Sequence, residues 1–252
     1  MIRIILHGCR GAMGKVITDL VKEEPDFEIT CGVDAAGPDD SLPYPVVSSF
    51  DQCTAEGDVI VDFSIAPAVD GLLAVAAERK LPLVLCTTGL SDAQLQAVQE
   101  ASRVIPVLRS ANMSLGINTV FKLAAQAAAI LAGRGYDIEI LEKHHHRKLD
   151  APSGTALAIA DAINEAMDGK YTYKLDRSAD YKKRDPDEIG IQALRGGNIV
   201  GEHEVYFCGT DEVIEIKHTA YSRAIFGKGA LSAAAFLIGK KPGMYRMADV
   251  IG

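Results

Sequence analysis

Cysteine is scarce and scattered: Cys9, Cys31, Cys53, Cys86 and Cys208 make an odd count with no C-x-x-C pair. That argues against a disulfide framework or structural zinc site and predicts a reducing compartment. Long apolar runs are also missing, since no stretch reaches the ~18 uninterrupted apolar residues of a membrane span. The apolar run after Met1 is too short for a secretory leader and lacks a small-residue cleavage site, so a cytoplasmic location is expected. Positive charge is in deficit, with 26 Lys+Arg against 34 Asp+Glu and a formal net charge of −8. Nucleic-acid binding normally needs a basic stripe and is not expected here. Internal repeats and low-complexity segments are absent too. What is present is a 252-residue chain, 48% hydrophobic, long enough for one or two domains with substantial cores.

The first half alternates short aliphatic runs with helical periodicity. Strands are predicted at Ile2–Leu6, Glu28–Val33, Val59–Phe63, Leu83–Cys86 and Ile105–Leu108, with helices around Ala68–Arg79 and Ser91–Ala101. Ser91 suits the N-cap of the latter. Apolar, non-alternating strands separated by helices indicate a parallel sheet covered on both faces. After Asn112 the pattern changes. A long Ala-rich helix over Leu115–Leu131 precedes a strand at Tyr136–Leu141 and a helix from Ser153 through Ile163. Residues 170–190 are charged and aperiodic and read as a loop. Strands follow at Ile191–Leu194, Gly201–Cys208 and Val213–Thr219, then a packed helix over Gly227–Ile238. The expected architecture is α/β: a Rossmann-like doubly wound parallel sheet plus a smaller α+β domain with a mixed or antiparallel sheet. Residues 1–112, completed by 223–252, would form a dinucleotide-binding domain, and 113–222 a substrate and oligomerisation domain.

Gly8-Cys9-Arg10-Gly11-Ala12-Met13-Gly14 follows the first strand and opens the first helix. Glycines there let backbone N–H groups approach a pyrophosphate drawn to the helix N-terminus. The spacing is G-x-x-G-x-x-G, and such a turn also serves purely structural junctions. Asp34 favours the binding reading: it ends the second predicted strand, 20 residues after Gly14, where a carboxylate accepts hydrogen bonds from an adenosine ribose. Ala35 and Ala36 follow it, with no adjacent cation for a 2′-phosphate, so NADH is expected to be preferred and NADPH tolerated. Cys86-Thr87-Thr88 and Ser110-Ala111-Asn112-Met113 end later strands on the same sheet edge, where doubly wound sheets bind ligands.

Lys143-His144-His145-His146-Arg147-Lys148 reverses the acidic balance locally, just before Pro152-Ser153-Gly154-Thr155. Free N–H groups at a helix start grip carboxylates, and six clustered cationic or protonatable side chains beside them suit a small dianion. A histidine, with an unperturbed pKa of ~6.5, donates protons near neutrality. The competing readings are a metal site, disfavoured because no H-E-x-x-H or cysteine partner spacing accompanies the histidines, and a solvated basic face. His7, His203 and His218 stand singly in or beside predicted strands and read as structural.

Glu142-x-His144-His145-x-x-Lys148-x-Asp150-x-Pro152-Ser153-Gly154-Thr155-Ala156 closely resembles the signature of the dihydrodipicolinate reductase family. Gly8-x-x-Gly11-x-Met13-Gly14, Asp62-Phe63-Ser64, Thr87-Thr88-Gly89, Asn112-Met113-Ser114-x-Gly116-x-Asn118 and Arg195-x-Gly197-x-Ile199-Val200-Gly201-Glu202-His203 extend the resemblance along the whole chain. It implies NAD(P)H-dependent reduction of a cyclic dicarboxylate, 4-hydroxy-tetrahydrodipicolinate, in the diaminopimelate route to lysine. By motif position His144 would be the proton donor and Lys148 a second donor, with His145, Lys148, Gly154 and Thr155 on the substrate carboxylates. Residues 8–13, Asp34, 86–88 and 110–113 would line the cofactor. A homotetramer with hinged domains is also implied, without metal, membrane or nucleic acid. A related dicarboxylate or amino-acid dehydrogenase and a non-catalytic NAD(H) sensor are the alternatives. The sequence departs from many members at Ala12, where they carry Arg, and at Cys86, where they often carry Gly.

Overall fold

The computed structural model describes residues 1–131 and 133–252. They divide into two units, Met1–Leu115 with Arg223–Gly252, and Gly116–Ser222.

In the first unit, β1 (Ile2–His7), β2 (Phe27–Val33), β3 (Val46–Val47), β4 (Val59–Asp62), β5 (Leu83–Leu85) and β6 (Pro106–Arg109) are joined by the C-terminal strand Gly243–Tyr245. Every pairing is parallel, in the order Gly243–Tyr245, β6, β5, β4, β1, β2, β3. Strand order reverses between β1 and β4, which is where such sheets open a ligand crevice. Alternate residues divide between two cores. Ile4, Leu6, Val59 and Val61 face one layer, whereas Ile5, Ile60, Leu83 and Leu85 face the other. Burying each such side chain stabilises by roughly 1.5–3 kcal/mol, so neither face tolerates charge.

Helix α1 (Ala12–Glu23) buries Ile17 and Leu20 against the first layer. The C-terminal helix Ala224–Leu237 packs there too, with Gly227 seated against Leu20 and Val16. On the second layer lie α2 (Val69–Glu78) and α3 (Asp92–Ser102). Ser91 caps α3 as expected, its hydroxyl accepting the Gln94 N–H while Gln94 reaches back to the Ser91 N–H. Two short strands of this unit escaped the sequence reading: β3 and Gly243–Tyr245 have two and three residues, too few to show periodicity.

The second unit carries α4 (Leu115–Leu131), β7 (Asp137–His144), α5 (Gly154–Ala166), β8 (Thr172–Lys174), β9 (Glu188–Arg195), β10 (Glu202–Cys208) and β11 (Val213–Thr219). Its sheet is mixed, ordered β11-β10-β7-β9-β8. β10 runs antiparallel to β7 and β11, while β7, β9 and β8 are parallel. Ile138, Ile140, Ile189, Val205 and Phe207 form a core with α4 and α5.

The expectation of a loop over 170–190 is corrected: β8 lies inside it and β9 begins at Glu188. Ion pairs replace apolar periodicity here. Arg184 donates to Glu139 (2.8 Å), Asp137 (2.9 Å) and the carbonyls of Ile138 and Glu188, and Arg177 pairs with Glu139 and Glu188. Among the described residues, no helix is long and apolar enough to cross a membrane.

Candidate active site

Sterics shape the glycine turn of the first unit. Gly8 sits at φ +76°, and a Cβ there would come within 2.6 Å of the Phe63 carbonyl oxygen. A Cβ on Gly14 would meet the Gly8 and Cys9 carbonyls at 2.4 Å. The turn therefore draws the chain tight at the head of α1, whose first turn holds no acidic residue and no side-chain cap. N–H groups left open at a helix start are an anion site.

Asp34 stitches this turn to the end of β2. One carboxylate oxygen accepts the Arg10 N–H (3.0 Å) and the other the Ala36 N–H (3.0 Å). A carboxylate offers about four acceptor positions, so two remain for ribose hydroxyls. His7, Gly8, Gly11, Asp34, Phe63 and Ser64 are among the residues around a cavity of about 230 Å³. A neighbouring cavity of about 390 Å³ is lined by Arg10, Lys15, Asp34 and Asp39 among others. Ala35 and Ala36 bring no cation, as expected, but two cations from elsewhere in the chain, Arg10 and Lys15, line the cavity beside Asp34. Arg10 folds over the turn after β2, donating to the Ala36 carbonyl (2.7 Å) and pairing with Asp39 (3.2 Å). The cations come from the glycine turn and α1, not from the residues after Asp34.

Cys9, Cys86 and Met113 bury their side chains in the core, so only their backbone can face a ligand. Burial, with the charge of Asp62, pushes the Cys86 thiol well above its usual range. Ala12 and Thr88 are exposed and Thr87 is buried. Thr87 donates to the fully buried Asp62 (2.6 Å), which also accepts the Ser64 N–H (3.2 Å) and lies 2.8 Å from His7 Nδ1. Ser110 Oγ donates to the Asn112 carbonyl and accepts its N–H, folding 110–112 into a tight turn beside exposed Ala111. His7 and Asp62 were not among the expected site residues. Their position at the ends of neighbouring β1 and β4 is the signal that identifies them.

In the second unit the cationic run is not one patch. Strand alternation turns Lys143 away from its neighbours, onto Glu204 (2.6 Å) and Glu202 (3.5 Å). His146 and Arg147 are exposed in a turn. His144, His145 and Lys148 are partly buried. His144 Nδ1 lies 2.5 Å from Glu142 Oε2, and Glu142 is fully buried. His145 Nδ1 is buried with no hydrogen-bond partner among the described residues. Burial, reinforced by the charges of Arg147, His144, His146 and Lys148, lowers the His145 pKa, so this ring is neutral at neutral pH and can accept or donate one bond. Lys148 Nζ pairs with Asp150 (2.8 Å). Ser153 caps α5, accepting the Ala156 N–H (3.2 Å), and Gly154 and Thr155 form the first turn, which holds no acidic residue. No cluster of described residues fits a metal ion.

Arg195 and Glu142 lie in the motif, but no role follows from their sequence positions. Arg195 holds Glu142 through two bonds, 2.6 and 2.7 Å long. His203, read as structural, packs edge-to-face on His144 with ring centroids 5.1 Å apart.

A parallel sheet of this order, a glycine turn at its switch point and an acidic strand end define a pyridine-nucleotide-dependent oxidoreductase with a separate mixed-sheet unit. The comparisons narrow the class. A family model described as the N-terminus of dihydrodipicolinate reductase matches residues 2–113, and one for the C-terminus matches 116–251. A 4-hydroxy-tetrahydrodipicolinate reductase of Caldanaerobacter subterraneus subsp. tengcongensis is 54% identical over 251 residues, covering 100% of this chain and 98% of the relative. One from Clostridium novyi is 46% identical over 251 residues, with the same coverage of each chain. A solved dipicolinate-bound dihydrodipicolinate reductase from Paenisporosarcina sp. TG-14 shares the fold at a TM-score of 0.83 and 24% identity, covering 98% of this chain and 97% of its own. The chain belongs to the dihydrodipicolinate reductase family.

Proposed function

We propose that the protein reduces 4-hydroxy-tetrahydrodipicolinate to tetrahydrodipicolinate, with loss of water, in the diaminopimelate route to lysine. The observation that carries the reading is in the second unit. A partly buried histidine held by a buried carboxylate stands two residues into a segment that ends at a helix start free of acidic residues. A dicarboxylate needs anion sites, and a ring gaining electron density needs an acid. His144 is the proton donor, and Lys148 is a second donor and charge partner. His145, Lys148, Gly154 and Thr155 hold the substrate carboxylates.

The first unit binds the nucleotide through residues 8–13, Asp34, 86–88 and 110–113. The bound nucleotide supplies hydride to the ring. Asp34 takes the adenosine ribose and disfavours a 2′-phosphate, so NADH is preferred. Arg10 and Lys15 offset that repulsion enough for NADPH to serve. Positioning of the two reactants carries much of the rate enhancement, since holding reacting groups together replaces a bimolecular encounter.

A homotetramer is expected to assemble through the mixed sheet. Its edge strand β11 exposes Val213 and Ile214, and an apolar edge favours pairing with another copy. The same reading places the enzyme in the cytoplasm.

An assay coupled to the preceding synthase, fed pyruvate and aspartate semialdehyde, tests the function. NADH should be consumed only when synthase and both of its substrates are present. NADH consumption indifferent to the synthase points to another dehydrogenase, and none at all to a sensor.

A further inference from the structure

Glu142 is the most enclosed carboxylate of the second unit, with no exposed surface. Three donors and the Nδ1 of His144 converge on it. Arg195 Nη1 reaches Oε2 (2.7 Å), Arg195 Nη2 reaches Oε1 (2.6 Å), the Ser153 N–H reaches Oε1 (3.0 Å), and His144 Nδ1 reaches Oε2 (2.5 Å). These fill the acceptor positions of a carboxylate. Burial alone would raise the pKa of such a group, yet the bonds from Arg195, His144 and Ser153 hold Glu142 below its ordinary value. It is therefore an anion, with no proton of its own to give.

Two consequences follow. First, an anionic acceptor obliges His144 Nδ1 to be the donor, so Nε2 is the nitrogen that exchanges protons. Gly201 stands beside that atom, where a Cβ would sit 3.4 Å away, at contact distance. Arg195 matters to this choice. By sharing the carboxylate it makes Glu142 a poorer base, so the proton stays on Nδ1. Second, the same carboxylate draws in the backbone of Ser153, the cap of α5. Arg195 also holds the Asp150 carbonyl (2.6 Å), closing the segment between β7 and α5 onto β9.

We propose that Glu142, held by Arg195, is a positioning residue that fixes the tautomer of His144 and its distance from the carboxylate-binding start of α5. Glu142 itself has no exposed surface to offer a substrate. The inference rests on His144 being the proton donor, but the tautomer can be read without turnover.

Long-range ¹H–¹⁵N NMR of the uniformly labelled enzyme, assigned with His144→Gln, reports which ring nitrogen carries the proton at a pH where the ring is neutral. The proton is expected on Nδ1 in the wild type, and a proton on Nε2 overturns the inference before any variant is made. In Glu142→Gln the Nδ1 preference should be lost and kcat should fall about a hundredfold or more, the range general acids contribute. KM for the dicarboxylate should rise by a smaller factor. An unchanged tautomer with kcat within threefold of wild type overturns the proposal.

Should Glu142→Gln not fold, Arg195→Lys keeps the charge but loses the paired geometry, and a kcat loss of about tenfold is expected. Wild-type kcat in a folded Arg195→Lys counts against the proposal. Adding Glu142→Gln to His144→Gln separates the two readings. No further kcat loss in the double variant supports action through His144. If His144→Gln alone keeps wild-type kcat, the donor assignment fails while the tautomer still decides what Glu142 does.

Discussion

His203 and His144 meet edge-to-face, their planes 73° apart, and His203 Nε2 lies 3.1 Å from the Ser153 hydroxyl that caps α5. Burial, and secondarily the nearby charge of His144, pushes the His203 pKa down to about 4. The folded protein therefore keeps His203 neutral while an unfolded chain takes up its proton near 6.5. Stability present above pH 6.5 is lost as pH falls towards 4, by about 3 kcal/mol for this residue. Burial lowers the His218 and His145 pKa values too, and both add in the same direction. Urea denaturation at pH 7 and pH 5 should show the wild type losing markedly more stability than His203→Gln. An equal loss in both proteins would contradict this.

The cavity beside Asp34 balances two cations, Arg10 and Lys15, against Asp34 and Asp39. Removing Lys15 tips the balance against a 2′-phosphate. Lys15→Ala should raise the NADH/NADPH ratio of kcat/KM by about tenfold, the worth of one charged hydrogen bond. Asp34→Ala should move it the other way, mainly by weakening NADH. Steady-state kinetics with both cofactors measures each ratio.

Lys148 is held by a half-exposed carboxylate, Asp150, which a dianion bound as proposed would have to replace. Exposed pairs contribute little, so Asp150→Asn should lower KM by no more than about fivefold. In the proposed role Lys148 answers charge that develops during reduction, and Lys148→Ala removes that partner. The substitution should lower kcat as well as raise KM. An unchanged kcat would reduce Lys148 to a binding residue.

Gly8 has no room for a methyl group against Phe63 and sits where φ is positive. Gly8→Ala is expected to cost about 2 kcal/mol or more, lower Tm by several degrees and weaken nucleotide binding. Differential scanning calorimetry and NADH fluorescence titration read the two effects separately.

The glycine turn and Asp34 are legible because each depends on local sequence: a strand, a turn, a helix start and the end of the next strand. The His144–Lys148 segment is legible through its motif, but the roles within it are not. Lys143 and His144 are adjacent in sequence and point to opposite faces of β7. Only the pairing of strands brings Arg195 alongside His144 and His203 opposite Glu142. The 170–190 segment hid β8 because its order comes from Arg184 and Arg177 binding acidic residues of β7 and β9, which leaves no apolar period to detect.

Reduction with deuterated cofactor tests the central claim most directly. With NADH deuterated at the transferring C4 position and substrate supplied by the synthase, mass spectrometry should find one deuterium on the ring of tetrahydrodipicolinate. His144→Gln should slow that incorporation about a hundredfold or more. Cofactor oxidation that leaves the ring product unlabelled, or a His144→Gln enzyme that labels it at the wild-type rate, would contradict the account.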